Sequence, residues 1–560
     1  MRSFSKNKRR QKPDTALVAL WLGIWIFLSV FVLYPLARLI YVVFFSDGGV
    51  SLAVLNKVFS SWYNRKAFIN SLILASAVGI SGTALGFLFA FSVTRINLPK
   101  IVKWFISAII VLPFVSPPFT SSIALTMVLG PNGLLLKLLH IPDFNIYGFL
   151  GTWIAETLTY FPVAFLTLTA VLQAIDPNLE DAAMSMGSTA WQAFCTVTLP
   201  LSIPGLANAF LLLFGSSLAD FATPLVMAGH TFPVLPTQAY MQITGMYDIQ
   251  GGAAISFVLL VPALIVYLLQ HYWVEGRYYV TVSGKAGARS KPKGAGTFAE
   301  AVMLAVISFI SLFIIFLYSI IFLGSLVKVW GVDNSFTLEN YMYVFTVGWK
   351  AVKDTVMIAL VSTGIGSVLG VAIGYLVNRK ELPGRKALEF VSLLNYVLPG
   401  TVIGIAYAIA FSSGPIVLTG TMTIIVALCV SRYDATGIRA TTATLKQIDP
   451  SLEEASLNLG ASKLTTFRKV TVPLIAPAIA TGTRYLFVVS MTAISATIFL
   501  VSVRWSLLTV RILECITELL FAQAAAFSVV LVLIVALAMW AIRLLFSMLY
   551  PNYFREQRGI

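Results

Sequence analysis

The segment Ile175-Asp176-Pro177-Asn178-Leu179-Glu180-Asp181-Ala182-Ala183 returns 273 residues later as Ile448-Asp449-Pro450-Ser451-Leu452-Glu453-Glu454-Ala455-Ser456. Farther along, Gly187, Phe194, Pro200 and Pro204 recur at the same offset as Gly460, Phe467, Pro473 and Pro477. Upstream, Gly82, Gly86, Arg95, Leu98 and Pro99 match Gly366, Gly370, Arg379, Leu382 and Pro383 at an offset of 284. The chain is an internal duplication, so its fold is one unit built twice.

Around these loops the chain is apolar. Of 560 residues, 58% are hydrophobic and 11% charged, with a mean hydropathy of +0.88. Soluble domains carry about a quarter of charged residues, so that class is excluded. Apolar runs lie near 16–45, 68–94, 101–129, 147–173, 205–228 and 252–274, then near 299–327, 354–377, 388–412, 415–444, 478–501 and 521–549. Each approaches or exceeds the roughly 20 residues a spanning helix needs. Continuous runs instead of period-two alternation exclude a β-barrel. The expected fold is an all-α polytopic membrane protein with about 12 transmembrane helices in two parallel six-helix repeats. Residues 1–276 form the first half, 277–298 a basic linker and 299–560 the second half. Six spans per copy place the loops 174–204 and 447–477 on one side of the membrane.

A formal charge of +15 could mean nucleic acid in a soluble protein. Here the basic residues sit beside spans, and no nucleic-acid role is inferred. Arg2, Lys6, Lys8, Arg9, Arg10 and Lys12 precede the first run, and Lys285, Lys291 and Lys293 lie in the linker. Positive charge marks the cytoplasmic side, so both termini and both repeated loops are expected there. The first run is too long for a signal-peptide core and is read as a retained span. Cys195, Cys429 and Cys515 are too scattered for a disulfide framework. His140, His230 and His271 show no zinc spacing, and no metal is expected.

Each repeated loop has the grammar of two short helices. Asp176 or Asp449 can cap a helix whose first turn holds Pro177 or Pro450, and Gly187 or Gly460 supplies a left-handed stop. Thr189 or Ser462 can cap a second helix, 190–195 or 463–468, which Pro200 or Pro473 is expected to end. Two such knobs under one membrane suggest that something docks there twice.

The spacing resembles the cytoplasmic loop of ATP-binding-cassette importer permeases. That pattern is Glu-Ala-Ala, three residues, Gly, nine residues, an aliphatic, one residue, an aliphatic, then Pro. The first copy reads Asp181-Ala182-Ala183, Gly187, Val197, Leu199, Pro200; the second reads Glu454-Ala455-Ser456, Gly460, Val470, Val472, Pro473. The resemblance implies the type I importer permease fold and a chain that forms the translocation path. It also implies coupling through Glu180, Asp181, Ala182, Ala183, Gly187, Ala190, Phe194 and Pro200, and through Glu453, Glu454, Ala455, Gly460, Lys463, Phe467 and Pro473. The implied partners are two ATP-binding subunits, which bind the ATP and Mg, and an extracytoplasmic solute-binding protein. The location implied is the bacterial inner membrane.

Two halves in one chain resemble the fused permeases of ferric iron importers. Arg432-Tyr433 before the second loop, and Leu218-Ala219-Asp220-Phe221-Ala222-Thr223-Pro224 after the first, look like that group. Where its members often carry Lys-Glu-Leu-Ser-Ala-Thr, this chain has Thr492-Ala493-Ile494-Ser495-Ala496-Thr497. Related fused permeases serve sugar phosphates, phosphonates and thiamine, and these remain alternative cargoes.

Gly79-x-x-Gly82-x-x-x-Gly86 and Gly364-x-Gly366-x-x-x-Gly370 lie inside apolar runs, so they read as helix-packing surfaces, not nucleotide loops. The pair Gly284-Lys285 has Tyr279 where a phosphate-binding loop needs its first Gly, so ATP hydrolysis belongs to a partner. Charges inside spans are costly and mark function or interhelical pairing. Glu156, Asp220, Thr223, Arg432 and Asp434 are the candidates for the path, with Arg439 also intramembrane and Thr223-Pro224 expected to kink the fifth span. Arg432 lies roughly 22 Å above Gln447 if the intervening chain is helical. A different class, an ion-coupled secondary transporter using Glu156 and Asp434, is the rival; it has no need of two matched docking knobs.

Overall fold

The computed structural model describes residues 15–46, 49–131, 133–140, 144–274, 297–380 and 382–551. The basic amino terminus and the linker from Arg277 to Gly296 lie outside them. Among the described residues ten helices are long and apolar enough to cross a membrane, and a bent pair makes an eleventh. The first copy uses Thr15–Phe44, Trp62–Arg95, Thr120–Leu139, Phe149–Ala174, Ala190–Ala219 and Ile249–Leu268. The second uses Phe298–Gly324, Trp349–Arg379, the pair Arg385–Val397 and Gly400–Ala410, Lys463–Thr492 and Phe521–Leu549. The crossing expected near 415–444 is built from Met422–Tyr433 and Ala435–Gln447. Arg432, Asp434 and Arg439 keep it from qualifying on composition; its shelter comes from neighbours, since every residue from Ile424 to Tyr433 is buried.

The third run is broken in both copies. Helix Lys100–Val115 stops before Ser116-Pro117-Pro118 and restarts at Thr120, while Arg385–Val397 turns by 105° at Leu398-Pro399 into Gly400–Ala410. Proline removes a donor and drives the preceding residue out of the helical region, which accounts for both breaks. The fifth runs end earlier than expected, at Ala219 and Thr492, where Asp220 and Ala493 are extended. Pro224 therefore kinks nothing. It is the third residue of a separate helix, Ala222–Met227, where a missing N–H is harmless.

Pro200 and Pro473 do not end the short loop helices. The helix runs unbroken from Ala190 to Ala219, and from Lys463 to Thr492, through wide turns at Phe194–Thr198 and Phe467–Thr471. Leu199 N–H reaches back to Phe194 O, and Val472 N–H to Phe467 O. The hydrogen-bond ladder thus changes register beside prolines that lack a donor, and the helix continues.

The first helix of each copy packs on the other copy. Ile24, Leu28 and Val32 bury against Ile373, Leu376, Leu388 and Val391. A wide turn at Ser29–Leu33 frees the Phe31 carbonyl, which accepts from Tyr407 Oη and, at 3.2 Å, from Asn395 Nδ2. Reciprocally, Ile307, Ile314, Leu317 and Ile320 share a core with Ile106, Ile110, Ile123 and Met127. There the Ser116 and Tyr318 hydroxyls meet at 2.5 Å and Trp330 Nε1 donates to Met127 O at 2.8 Å.

Candidate coupling loops and translocation cavity

The loop helices form as their residue types require. Asp176 Oδ1 accepts from Asn178 N–H at 3.0 Å, opening Pro177–Ser185. Gly187 has φ +96°, with Ser188 N–H to Ala183 O at 3.1 Å and Gly187 N–H to Met184 O at 3.0 Å, the paired bonds of a Schellman stop. Gly460, at φ +88°, repeats it with Ala461 N–H to Ser456 O and Gly460 N–H to Leu457 O. Thr189 and Gln192 form a reciprocal capping box, and Ser462 Oγ accepts from Thr465 N–H at 3.1 Å. Asp449 Oδ1 accepts from Ser451 N–H at 2.9 Å, and that bond holds its carboxyl below the usual range.

The repeated glutamates Glu180 and Glu453 face inward. Arg95 Nε lies 3.1 Å from Glu180 Oε1, Thr198 Oγ1 donates to that oxygen at 2.7 Å, and Arg95 Nη2 donates to Ile175 O at 3.4 Å. In the second copy Arg379 Nε lies 3.3 Å from Glu453 Oε1, Thr471 Oγ1 donates at 3.1 Å, Tyr375 Oη donates to Oε2 at 3.3 Å, and Arg379 Nη2 donates to Ile448 O at 2.7 Å. Phe194 packs edge-on against Phe91 at 5.2 Å and Phe467 against Tyr375 at 4.9 Å. Glu180, Glu453, Phe194 and Phe467 therefore bind each knob to its own second span instead of presenting a surface. Asp181, Ala183 and Ala190 are half-buried, while Ala182, Gly187, Pro200, Glu454, Ala455, Gly460 and Lys463 are exposed or nearly so, with Pro473 half-buried.

The outer face carries residues that sequence reasoning missed. Met186 and Leu459, 87% and 89% exposed, stand at equivalent positions beside the glycines, and so do Trp191 and Leu464 in the second helices. Large apolar side chains thus recur in the same exposed place on both copies. Their signal was available in the 273-residue offset, and that of Arg95 and Arg379 in the 284-residue offset.

Between the halves lies a cavity of about 260 Å³, lined from the first half by Ser216, Tyr267 and Gln270 among others, and from the second by Tyr396, Arg432, Tyr433, Arg439 and Tyr485. A larger concavity of about 600 Å³ near Thr83 and Phe210 is apolar, within the first half, and gathers no polar groups. Of the five path candidates, Arg432 alone is at the inter-half cavity. Its Nη1 donates at 2.6 Å to both Asn395 O and Leu398 O, the carbonyls released where helix Arg385–Val397 ends. Asp434 turns the other way: a Cβ on Gly370 would lie 2.5 Å from its Oδ1, and one on Gly437 2.8 Å. Gly370 is thus a cradle for a carboxylate, whereas Gly82 and Gly86 meet Leu213 and Ala164 as packing glycines.

Glu156, Asp220 and Thr223 cluster inside the first half. Ser217 Oγ donates to Glu156 Oε2, and Asp220 Oδ1 accepts from Ala222 and Thr223 N–H at 3.0 and 3.4 Å. At the 273-residue offset their counterparts are Cys429, Ala493 and Ala496, so this acidic group is peculiar to one copy. Ser217 lies in the last turn of the helix Ala190–Ala219, whose first turn carries the exposed Trp191, so one helix joins the knob to the cluster.

The family model described as binding-protein-dependent transport system inner membrane component matches residues 82–278 and again 366–556. The chain belongs to that family. This transport-system membrane component is 34% identical over 547 residues, 95% of its length, to the ferric transport system permease protein FbpB of Actinobacillus pleuropneumoniae, covering 78% of that protein. It is 34% identical over 89% of its length to the putative ferric transport system permease protein FbpB 1 of Haemophilus influenzae, covering 80% of it. The sulfate transport system permease protein CysT of Escherichia coli matches 36% of the chain at 29% identity, covering 72% of that protein. A bacterial alginate importer of known structure aligns over 48% of this chain and 97% of its own at 20% identity and a TM-score of 0.41. One family match falls in each copy, beginning within its second span and ending beyond its last, so the transport component is a fused pair of permease units.

Proposed function

We propose that the chain is the membrane subunit of a ferric iron importer: it does no covalent chemistry, forms the path between its halves, and couples to two ATP-hydrolysing subunits on the loops 174–204 and 447–477. Both termini and the loops face the cytoplasm, and a solute-binding protein delivers iron from outside. The observation that carries this reading is the doubled knob, clamped at equivalent positions by Arg95–Glu180 and Arg379–Glu453 with apolar residues outward. Ferric iron as cargo is supported by the 34% identity to FbpB along nearly the whole chain.

Closure of the ATPase pair draws the knobs together. Each knob continues into a spanning helix without a hinge, so the force rotates that helix and the halves exchange inward-facing for outward-facing packing. ATP and Mg belong to the partner; this chain supplies the levers and the path. The test is reconstitution with the ATPase subunits and the binding protein, following entry of labelled ferric iron. ATP-dependent uptake that vanishes when the Met186 and Leu459 faces are made charged is the expected result. Uptake driven by a proton or sodium gradient without ATP would overturn it in favour of a secondary transporter.

A further inference from the structure

We infer that the cavity between the halves is an oxyanion site, and that iron crosses it bound to an anion whose oxygens face the cavity wall. This rests on the importer reading above and assigns the chemical class of what passes. Two guanidiniums reach the cavity, Arg432 and Arg439, and among the described residues no Asp or Glu lines it. Neither guanidinium pairs with a carboxylate among the described residues. Asp434, two residues from Arg432, is on the opposite helical face among Gly366, Gly370 and Gly437.

Both cations stand beside aromatic rings. Arg432 stands 5.6 Å from the Tyr433 centroid and Arg439 5.7 Å from that of Tyr396, and both rings line the same space. Arg432 spends Nη1 on two carbonyls but its buried Nε has no hydrogen-bond partner, Arg439 adds a second guanidinium, and tyrosine hydroxyls add neutral donors, which is a set suited to carboxylate, carbonate or phosphate oxygens. A bare trivalent cation would meet two positive charges and no acidic ligand. The volume, about 260 Å³, falls below the roughly 300–1,000 Å³ of pockets for drug-sized ligands, so the cargo is a small ferric–anion complex.

The test has two parts. First, binding of citrate and of inorganic phosphate to the purified permease–ATPase complex is measured by equilibrium dialysis, for the natural chain and for Arg439→Glu and Arg439→Lys. Arg439 is exposed, so its replacement leaves packing alone, whereas Arg432 also holds two backbone carbonyls. At least one anion should bind, at least tenfold more weakly in Arg439→Glu, with Arg439→Lys between. Second, proteoliposomes with the loaded binding protein receive doubly labelled ferric citrate or ferric phosphate. Anion label entering in proportion to iron supports the inference; iron entering without either label, or anion affinity indifferent to Arg439→Glu, overturns it. If no iron enters in any form, the ferric reading fails, and the dialysis result still decides the oxyanion site.

Discussion

Arg95 and Glu180, 85 residues apart in the chain, meet at 3.1 Å beneath the membrane, and the pair is reproduced at 3.3 Å by Arg379 and Glu453. Both first-copy side chains are almost fully buried, so neither charge can turn to water when its partner is lost. Removing one member of a buried pair typically costs about 3–5 kcal/mol. Glu180→Ala should loosen the first knob and abolish stimulation of ATP hydrolysis by the loaded binding protein. Arg95→Met combined with Glu180→Leu should recover much of the thermal stability. Equal stability of Glu180→Ala and the natural chain in a detergent melting assay would show that the pair does not hold the knob.

Gly187 and Gly460 combine positive φ with open space around the missing side chain. Substitution there is penalised by the backbone alone, by about 1–2 kcal/mol for an ordinary residue in the left-handed region. Gly187→Asn and Gly460→Asn should keep most coupled ATPase activity, while the Val variants should lose it with normal membrane insertion. Normal coupling in both Val variants would contradict the docking assignment.

Gly370 and Gly364 lie on one helix with opposite demands. A Cβ at 370 would strike Asp434, whereas one at 364 meets nothing within 4 Å. Gly364→Ala should be neutral or stabilising, by up to about 1 kcal/mol. Gly370→Ala should destabilise by about 1–3 kcal/mol through overpacking, and Asp434→Ala in the same chain should relieve it. Thermal unfolding in detergent, read for the three variants side by side, decides the matter; no rescue would mean that the carboxylate is not what fills the glycine's space.

The exchanged first helices make each half dependent on the other. Chains cut within 285–293 and coexpressed should assemble and transport, because the contacts that join the halves lie in the membrane. Either half alone should be degraded, since Ile24, Leu28 and Val32, or Ile307, Ile314 and Leu317, would lose the core that buries them. Copurification of the two halves after the cut is the readout.

Asp449 offers a pH test at the second knob. Its carboxyl titrates below its unfolded value because Ser451 N–H donates to it. That bond, which spans the Pro450 that begins the helix, is therefore fully present above about pH 4 and fades as pH falls through the lower, folded value. Protease sensitivity of the 450–460 segment should rise in that acidic window, and Asp449→Asn should remove the dependence.

Much of this architecture is local, and local features were legible. The spans follow from continuous apolar runs, the duplication from its two offsets, and the loop helices from Asp176, Thr189 and Gly187, whose capping bonds reach no more than five residues along the chain. What only the tertiary structure decided are the partners of those elements. Hydropathy cannot distinguish a face turned to lipid from one turned to another helix, because both surroundings are apolar, so the exchange of the first helices left no trace in composition. Glu180 and Glu453 could be read as surface acids until Arg95 and Arg379 were brought beneath them. Arg432 and Asp434, two apart along a helix, could be read from the sequence as facing different ways, but the separate partners each would find could not. Two residues along a helix lie on nearly opposite faces, and that rotation, with the broken helix after Val397 and the cradle at Gly370, sends one to the cavity between the halves and the other into the packing of its own half.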